Sequence, residues 1–155
     1  MISFSIDILK KQDISLDGEE PPSFLEVGDS DMISFKDNVR YKLHVSMISS
    51  GTLVKGKVET SFEGICGRCL KKFKGKFGDD DICLFYEELV GAEMDITEDV
   101  RAALIVEIPI NCICKDDCSG LCHVCGNNLN KSKCNCQEPE NEDSPWSTLN
   151  NLDLE

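Results

Sequence analysis

The chain has 155 residues and a formal net charge of −13, from 16 basic and 29 acidic side chains. Apolar residues make up 41%, but ten of them are cysteine, so the core is thin and the fold needs support beyond hydrophobic burial. No apolar run nears the ~18 residues of a membrane span, Met1-Ile2-Ser3-Phe4 opens no signal peptide, and the acidic balance opposes broad wrapping of nucleic acid.

Along the chain, Ile2, Phe4, Ile6 and Ile8 alternate with polar residues and predict a half-buried strand. Residues 17–31, acidic and rich in turn formers, read as a long loop. Alternation returns at Val39–Met47 and Val54–Phe62, with Ser50-Gly51 as the hairpin turn between them. Lys72–Phe77 and Ile82–Tyr86 read as a third and a fourth strand. From Asp95 the period changes: Ile96, Val100, Ala103, Leu104 and Ile108 fall at helical spacing, Asp95 and Glu98 form a capping box with Thr97 as the other N-cap reading, and Pro109 ends the helix. Trp146, Leu149 and Leu152 share one side of a short terminal helix, with Trp146 docked on the chain's own body. The fold class is α+β. A mostly antiparallel body spans 1–110 with one helix at about 96–108, followed by a cysteine-rich, zinc-ribbon-like segment over 111–137 and an acidic tail over 138–155.

Ten cysteines without an export signal fit the reducing cytoplasm, where clustered thiols bind metal more often than they pair. Cys122-x-x-Cys125-Gly126 is a zinc knuckle, and Cys134 and Cys136 follow at a distance that completes four thiolates around one ion. Sulfur ligands favour Zn²⁺ over magnesium or calcium and leave iron open. Cys66-Gly67-Arg68-Cys69 is a second knuckle, with Gly67 relaxing its turn. It needs two distant partners. Cys114 and Cys118 are the remaining pair, and Cys112 can replace Cys114. Cys83 reads as a small buried hydrophobe, and His44 and His123 as solvent-facing. Four thiolates per ion leave no vacancy for water, which describes structural zinc. The sequence also lacks HExxH, GxSxG and P-loop patterns, so neither catalysis nor a small-molecule substrate is expected.

Between Cys66 and Phe77 the charge reverses: Arg68, Lys71, Lys72, Lys74 and Lys76 meet no acidic residue. Two readings fit, a phosphate-binding strip for RNA and an edge strand guarded by lysines. The overall acidity likewise fits either a basic partner or plain solubility.

The string Asp117-Cys118-Ser119-Gly120-Leu121-Cys122-His123-Val124-Cys125-Gly126-Asn127-Asn128-Leu129-Asn130, with Cys66-Gly-Arg-Cys before it and Cys134-x-Cys136 after it, resembles the bacterial YceD family and its plastid relatives over about residues 60–152. The resemblance implies a factor for large-subunit ribosomal RNA accumulation and metal-site roles for Cys66, Cys69, Cys114, Cys118, Cys122, Cys125, Cys134 and Cys136. The expected protein is non-catalytic, holds one or two Zn²⁺ ions, and binds large-subunit rRNA or a basic ribosomal protein. A thiol-switched chaperone, losing zinc on oxidation, is the alternative. The family's Asp-Pro-Arg-like segment is Asp143-Ser144-Pro145-Trp146 here, so that arginine's role does not carry over.

Overall fold

The computed structural model describes residues 1–28, 30–89 and 91–136. The terminal helix and the Trp146 anchor expected from the sequence lie outside the described residues. The fold is mostly antiparallel sheet with little helix and a C-terminal cysteine segment. Among the described residues no helix is long and apolar enough to cross a membrane.

The sheet is built on the hairpin β4 (Val39–Ile48) and β5 (Gly51–Ile65). The connecting loop is Ser49-Ser50, and Gly51 pairs with Ile48, one residue earlier than the sequence reading placed the turn. β2 (Ile14–Glu20) pairs with β4 along its whole length, so the acidic stretch read as a loop begins as a strand. Its acids make sense across the pairing: Asp17 lies opposite Lys42 and Glu19 opposite Arg40, with ion pairs of 3.4 and 3.9 Å. Opposite charges at directly facing positions favour pairing by a few tenths of a kcal/mol each. A 3-10 turn at Pro22–Leu25 follows, burying Phe24 and Leu25, and β3 (Ile33–Ser34) adds to the far end of β5.

The two lysine- and isoleucine-led segments form one strand, β6 (Lys72–Tyr86), paired antiparallel with β5. A bulge joins them: Gly56 faces Ile82 while Val58 faces Asp79, so β6 takes three residues where β5 takes two. Inward positions are therefore odd at Phe73 and Phe77 and even at Ile82, Leu84 and Tyr86. This parity change makes a single strand read as two. It also places Cys83 outward, opposite Lys55, and its exposure corrects the expectation of a buried side chain.

One face of this sheet carries the core. Val39, Leu43, Val45, Val54, Val58, Phe62, Phe77 and Ile82 are buried against a second layer of Ile2, Phe4, Leu9, Phe24, Leu25, Ile96, Val100 and Leu104. The N-terminus differs from its predicted strand. β1 (Ser3–Ser5) pairs with β7 (Glu93–Asp95), and the chain then turns into α1 (Ile6–Leu9). The helical turn brings Ile6 and Leu9 inward together and leaves Ile8 half exposed, which continued alternation would not do.

α2 (Thr97–Val106) is the expected helix, shorter at each end. It stops before Pro109, with Glu107 as C-cap, and its N-cap is Ile96. Asp95 works from one position earlier. Its Oδ1 accepts hydrogen bonds from Thr97 N (2.9 Å) and Thr97 Oγ1 (2.5 Å), while Ile2 N donates to Thr97 Oγ1 (2.8 Å). The Thr97 hydroxyl and then its amide hold the Asp95 carboxyl below the usual carboxylate range. Asp95→Ala is expected to cost ~1 kcal/mol at neutral pH, the usual scale for a lost helix-start acceptor, read as a shift in denaturant midpoint. Because the folded-state value is lowered, this contribution is present above the ordinary carboxylate pKa and is lost as pH falls through the lowered one. The variant and the parent should therefore converge in acid.

Candidate metal centres

The turn after β5 and the segment after α2 meet at the first centre. Sγ atoms of Cys66, Cys69, Cys114 and Cys118 lie within 4.8 Å of one another, with Cys66–Cys118 at 3.9 Å and Cys69–Cys114 at 3.7 Å. Four sulfurs held ~2.3 Å from one tetrahedral ion stand ~3.8 Å apart. The donor set and its spacing fit a Zn²⁺-type ion. Cys66, Cys69 and Cys118 are buried in a small apolar cluster with Phe73, Ile113 and Cys114, joined to the main core through Phe73. Cys112, the alternative to Cys114, stands outside the tetrad; its side chain packs on the main core, and its carbonyl accepts from Gly67 N (2.9 Å).

The second centre gathers Cys122, Cys125, Cys134 and Cys136, again within 4.8 Å. Cys122 is buried, but Cys125 and Cys136 are exposed. His123 is exposed and outside the tetrad, and His44 is exposed beside Asp13 (3.5 Å), as their sequence positions predicted.

Both knuckles fold alike. Leu70 N donates to Cys66 O (2.9 Å), and Gly126 N donates to Cys122 O (2.8 Å). The residue after each second cysteine is left-handed, at φ 57° for Leu70 and 71° for Gly126. Glycine adopts this at no steric cost, whereas Leu70 carries strain of order 1 kcal/mol. The first knuckle's strained position is therefore Leu70. Gly67, expected to relax that turn, has no left-handed φ and space for a Cβ.

The electrostatics ask for a cation. Backbone N–H groups led by that of Cys114 pull the Cys66 thiol down to about 6, and those of Cys125 and Val124 do the same for Cys122. Burial and neighbouring thiols push Cys114 up to about 12, and the Cys125 thiol, with burial, does so for Cys136. Four sulfurs this close cannot all ionise unaided, but a divalent ion makes four thiolates compatible.

Asn130 is the residue that sequence reasoning left without a role. Its Nδ2 donates to Cys118 Sγ (3.4 Å) and its Oδ1 accepts from Ser119 N (3.0 Å). Burial raises the Cys118 thiol, but the Gly120 N–H, the Asn130 amide and the thiols of Cys69 and Cys114 outweigh it, so the thiolate is favoured. Asn130 lies between Cys125 and Cys134, so the loop of the second centre supports a sulfur of the first. Asn130→Ala is expected to weaken metal binding at the first centre 10–100-fold, the usual effect of losing such a supporting hydrogen bond, read by chelator competition. Its only sequence signal was its place in the Asn127–Asn130 run.

Lys72, Lys74 and Lys76 are exposed on one face of β6, as their spacing predicts. Two features change the strip. Glu63, opposite Lys74, pairs with it (3.6 Å) and with Lys36. Arg68 turns away, its Nη1 donating to the carbonyls of Asp116 (3.3 Å) and Cys118 (3.2 Å). Arg68 thus braces the first centre.

Residues 78–153 match the family described as "Large ribosomal RNA subunit accumulation protein YceD". They belong to the YceD family. The YceD match takes in Cys114 to Cys136 and begins after Cys66 and Cys69, a shorter reach than the motif resemblance implied. A chloroplastic protein of Arabidopsis thaliana, "Large ribosomal RNA subunit accumulation protein YCED homolog 1", is 43% identical over 60 residues, covering 39% of this chain and 18% of its own. An uncharacterized protein of Mycobacterium tuberculosis is 33% identical over 99 residues, covering 54% of this chain and 48% of its own. One of Mycobacterium leprae is 29% identical over 124 residues, covering 70% and 57%. The chain thus spans less than two thirds of each of these relatives. No solved structure matches it.

Proposed function

We propose that the chain is a non-catalytic, cytoplasmic accessory factor that supports large-subunit rRNA accumulation. In this reading Zn²⁺ at the two cysteine tetrads serves as a structural staple. What carries the reading is the YceD match across residues that include six of the eight clustered cysteines. The closed sulfur sets support the non-catalytic part, since a catalytic zinc keeps a position for water. The metal-built segment over 111–137 is part of the proposal. Cys66 and Cys69 tie it to the body, and Leu121 N donating to Arg68 O (3.0 Å) reinforces the tie.

Two four-thiolate sites add about −2 each, taking the formal charge from −13 to about −17. The acidic body suits a basic ribosomal protein for most of the affinity, with RNA touched locally at lysines. Crosslinking in cells, followed by identification of bound RNA and protein, tests the reading. Recovery of large-subunit rRNA or large-subunit proteins is expected, and recovery of neither would refute it.

The exposure of Cys125 and Cys136 favours one second reading, a thiol switch at that centre. Mild peroxide separates the two. A switch releases metal and gains chaperone activity, whereas a structural staple retains its metal.

A further inference from the structure

A groove of about 520 Å³ runs between the start of β6 and the cysteine segment. Lys71, Lys115 and Lys131 line it from three separate stretches of chain, alongside Leu70 and Phe73, and no carboxylate lines it. All three lysines are exposed. Lys115 has an exposed ion pair to Asp117 (3.2 Å), while Lys71 and Lys131 have no ion pair among the described residues. On a chain of net charge −13, three cations converging on a groove lined by no carboxylate, only by the Cys69 and Cys114 sulfurs of the first centre, are a local inversion.

The adjacent thiolates do not account for these lysines. The sulfurs that line the groove, those of Cys69 and Cys114, lie 3.7 Å from each other, and among the described residues no lysine hydrogen-bonds to them while the ammonium groups stay at the surface. The guanidinium fork pairs with carboxylate and phosphate alike, and the nearby arginine, Arg68, is committed to two backbone carbonyls, so the charge that the groove offers is ammonium. Ammonium groups act as point charges suited to phosphate, and Leu70 and Phe73 offer apolar surface on which a base can rest.

We infer that this groove binds the phosphodiester backbone of single-stranded RNA, with Lys71, Lys115 and Lys131 each meeting a phosphate. The inference rests on the rRNA reading above and moves the contact from the outer face of β6 to the junction of body and cysteine segment. Of the strip read from sequence, Lys71 lines the groove and Lys72, Lys74 and Lys76 do not.

The test is fluorescence anisotropy of the full-length, metal-loaded chain with a labelled single-stranded RNA ten-mer over a salt series. Three neutralised phosphates predict a slope of log affinity against log salt near −2. K71A/K115A/K131A should weaken binding at least tenfold and flatten the slope, with metal content unchanged. K11A/K55A/K57A, three exposed lysines elsewhere, should bind like the parent. The inference is overturned if the parent does not bind the RNA, or if the groove variant binds with unchanged affinity and slope. Cell crosslinking of parent and groove variant separates this from failure of the wider reading. A parent that recovers large-subunit components while the groove variant binds RNA normally refutes the groove alone. A parent that recovers none refutes the wider reading.

Discussion

Cys66→Ser is expected to lower the metal content from two ions per chain to one and to destabilise the protein by ~4 kcal/mol or more. The estimate follows from the loop that the first centre closes. Cys66 and Cys118 are 52 residues apart, and closing a loop of that length in the unfolded chain is worth ~4 kcal/mol by the chain-entropy relation used for disulfides. Three thiolates without the fourth also hold the ion less tightly, and metal-binding free energy in such a segment is folding free energy. The satellite cluster of Cys66, Cys69 and Cys118 with Phe73 and Ile113 has little apolar mass of its own to replace it. Elemental analysis reads the stoichiometry. The thermal midpoint, expected to fall by ~10 °C or more, reads the stability. A variant with two ions and the parent's midpoint would show that Cys66 is no ligand.

Leu104→Ala is the counterpart in the body. Leu104 is fully buried on α2 within the core cluster that includes Val100, Ile96 and the inner face of the sheet. Truncating such a leucine removes its burial and leaves a cavity, at ~2–5 kcal/mol depending on how far the surroundings collapse. The loss should appear in a denaturant midpoint, while the folded variant retains two ions and its protected thiols. The two substitutions therefore dissect the molecule: one removes metal and stability together, the other stability alone. Loss of an ion from folded Leu104→Ala would mean that the centres depend on core packing rather than on their own ligands.

Much of this fold was legible in the sequence, and the failures have local causes. The β4–β5 hairpin and α2 were visible because each has one buried face and hence a clean period. β6 was read as two strands because its bulge reverses the inward parity between Phe77 and Ile82, and the same reversal turns Cys83 outward. β2 was hidden by its acids, whose partners Arg40 and Lys42 are distant in sequence. At the N-terminus, alternation through Ile8 imitated a strand where the chain makes a helical turn to bury Ile6 and Leu9.

The cysteines show the same division. Knuckle spacing reveals which thiols are near one another within each short segment, and the leftover pair pointed to Cys114 and Cys118 for the first centre. The choice of Cys114 over Cys112 depends on how the chain leaves α2, where Cys112 packs on the core and offers its carbonyl to Gly67. Asn130 could not be found by spacing, because a hydrogen bond to a sulfur in another loop leaves no periodic trace. The contacts of Arg68 were hidden for a related reason. Its charge suggested a ligand surface, yet its guanidinium satisfies the carbonyls of Asp116 and Cys118.

The central claim is that eight sulfurs saturate two divalent ions and thereby staple the cysteine segment to the sheet. Native mass spectrometry of the purified chain, combined with thiol labelling under native conditions, tests it most directly. The account predicts two Zn²⁺ per chain, with Cys83 and Cys112 the only thiols of the ten to be labelled before chelation. A folded, metal-free chain with all ten thiols reactive would contradict it.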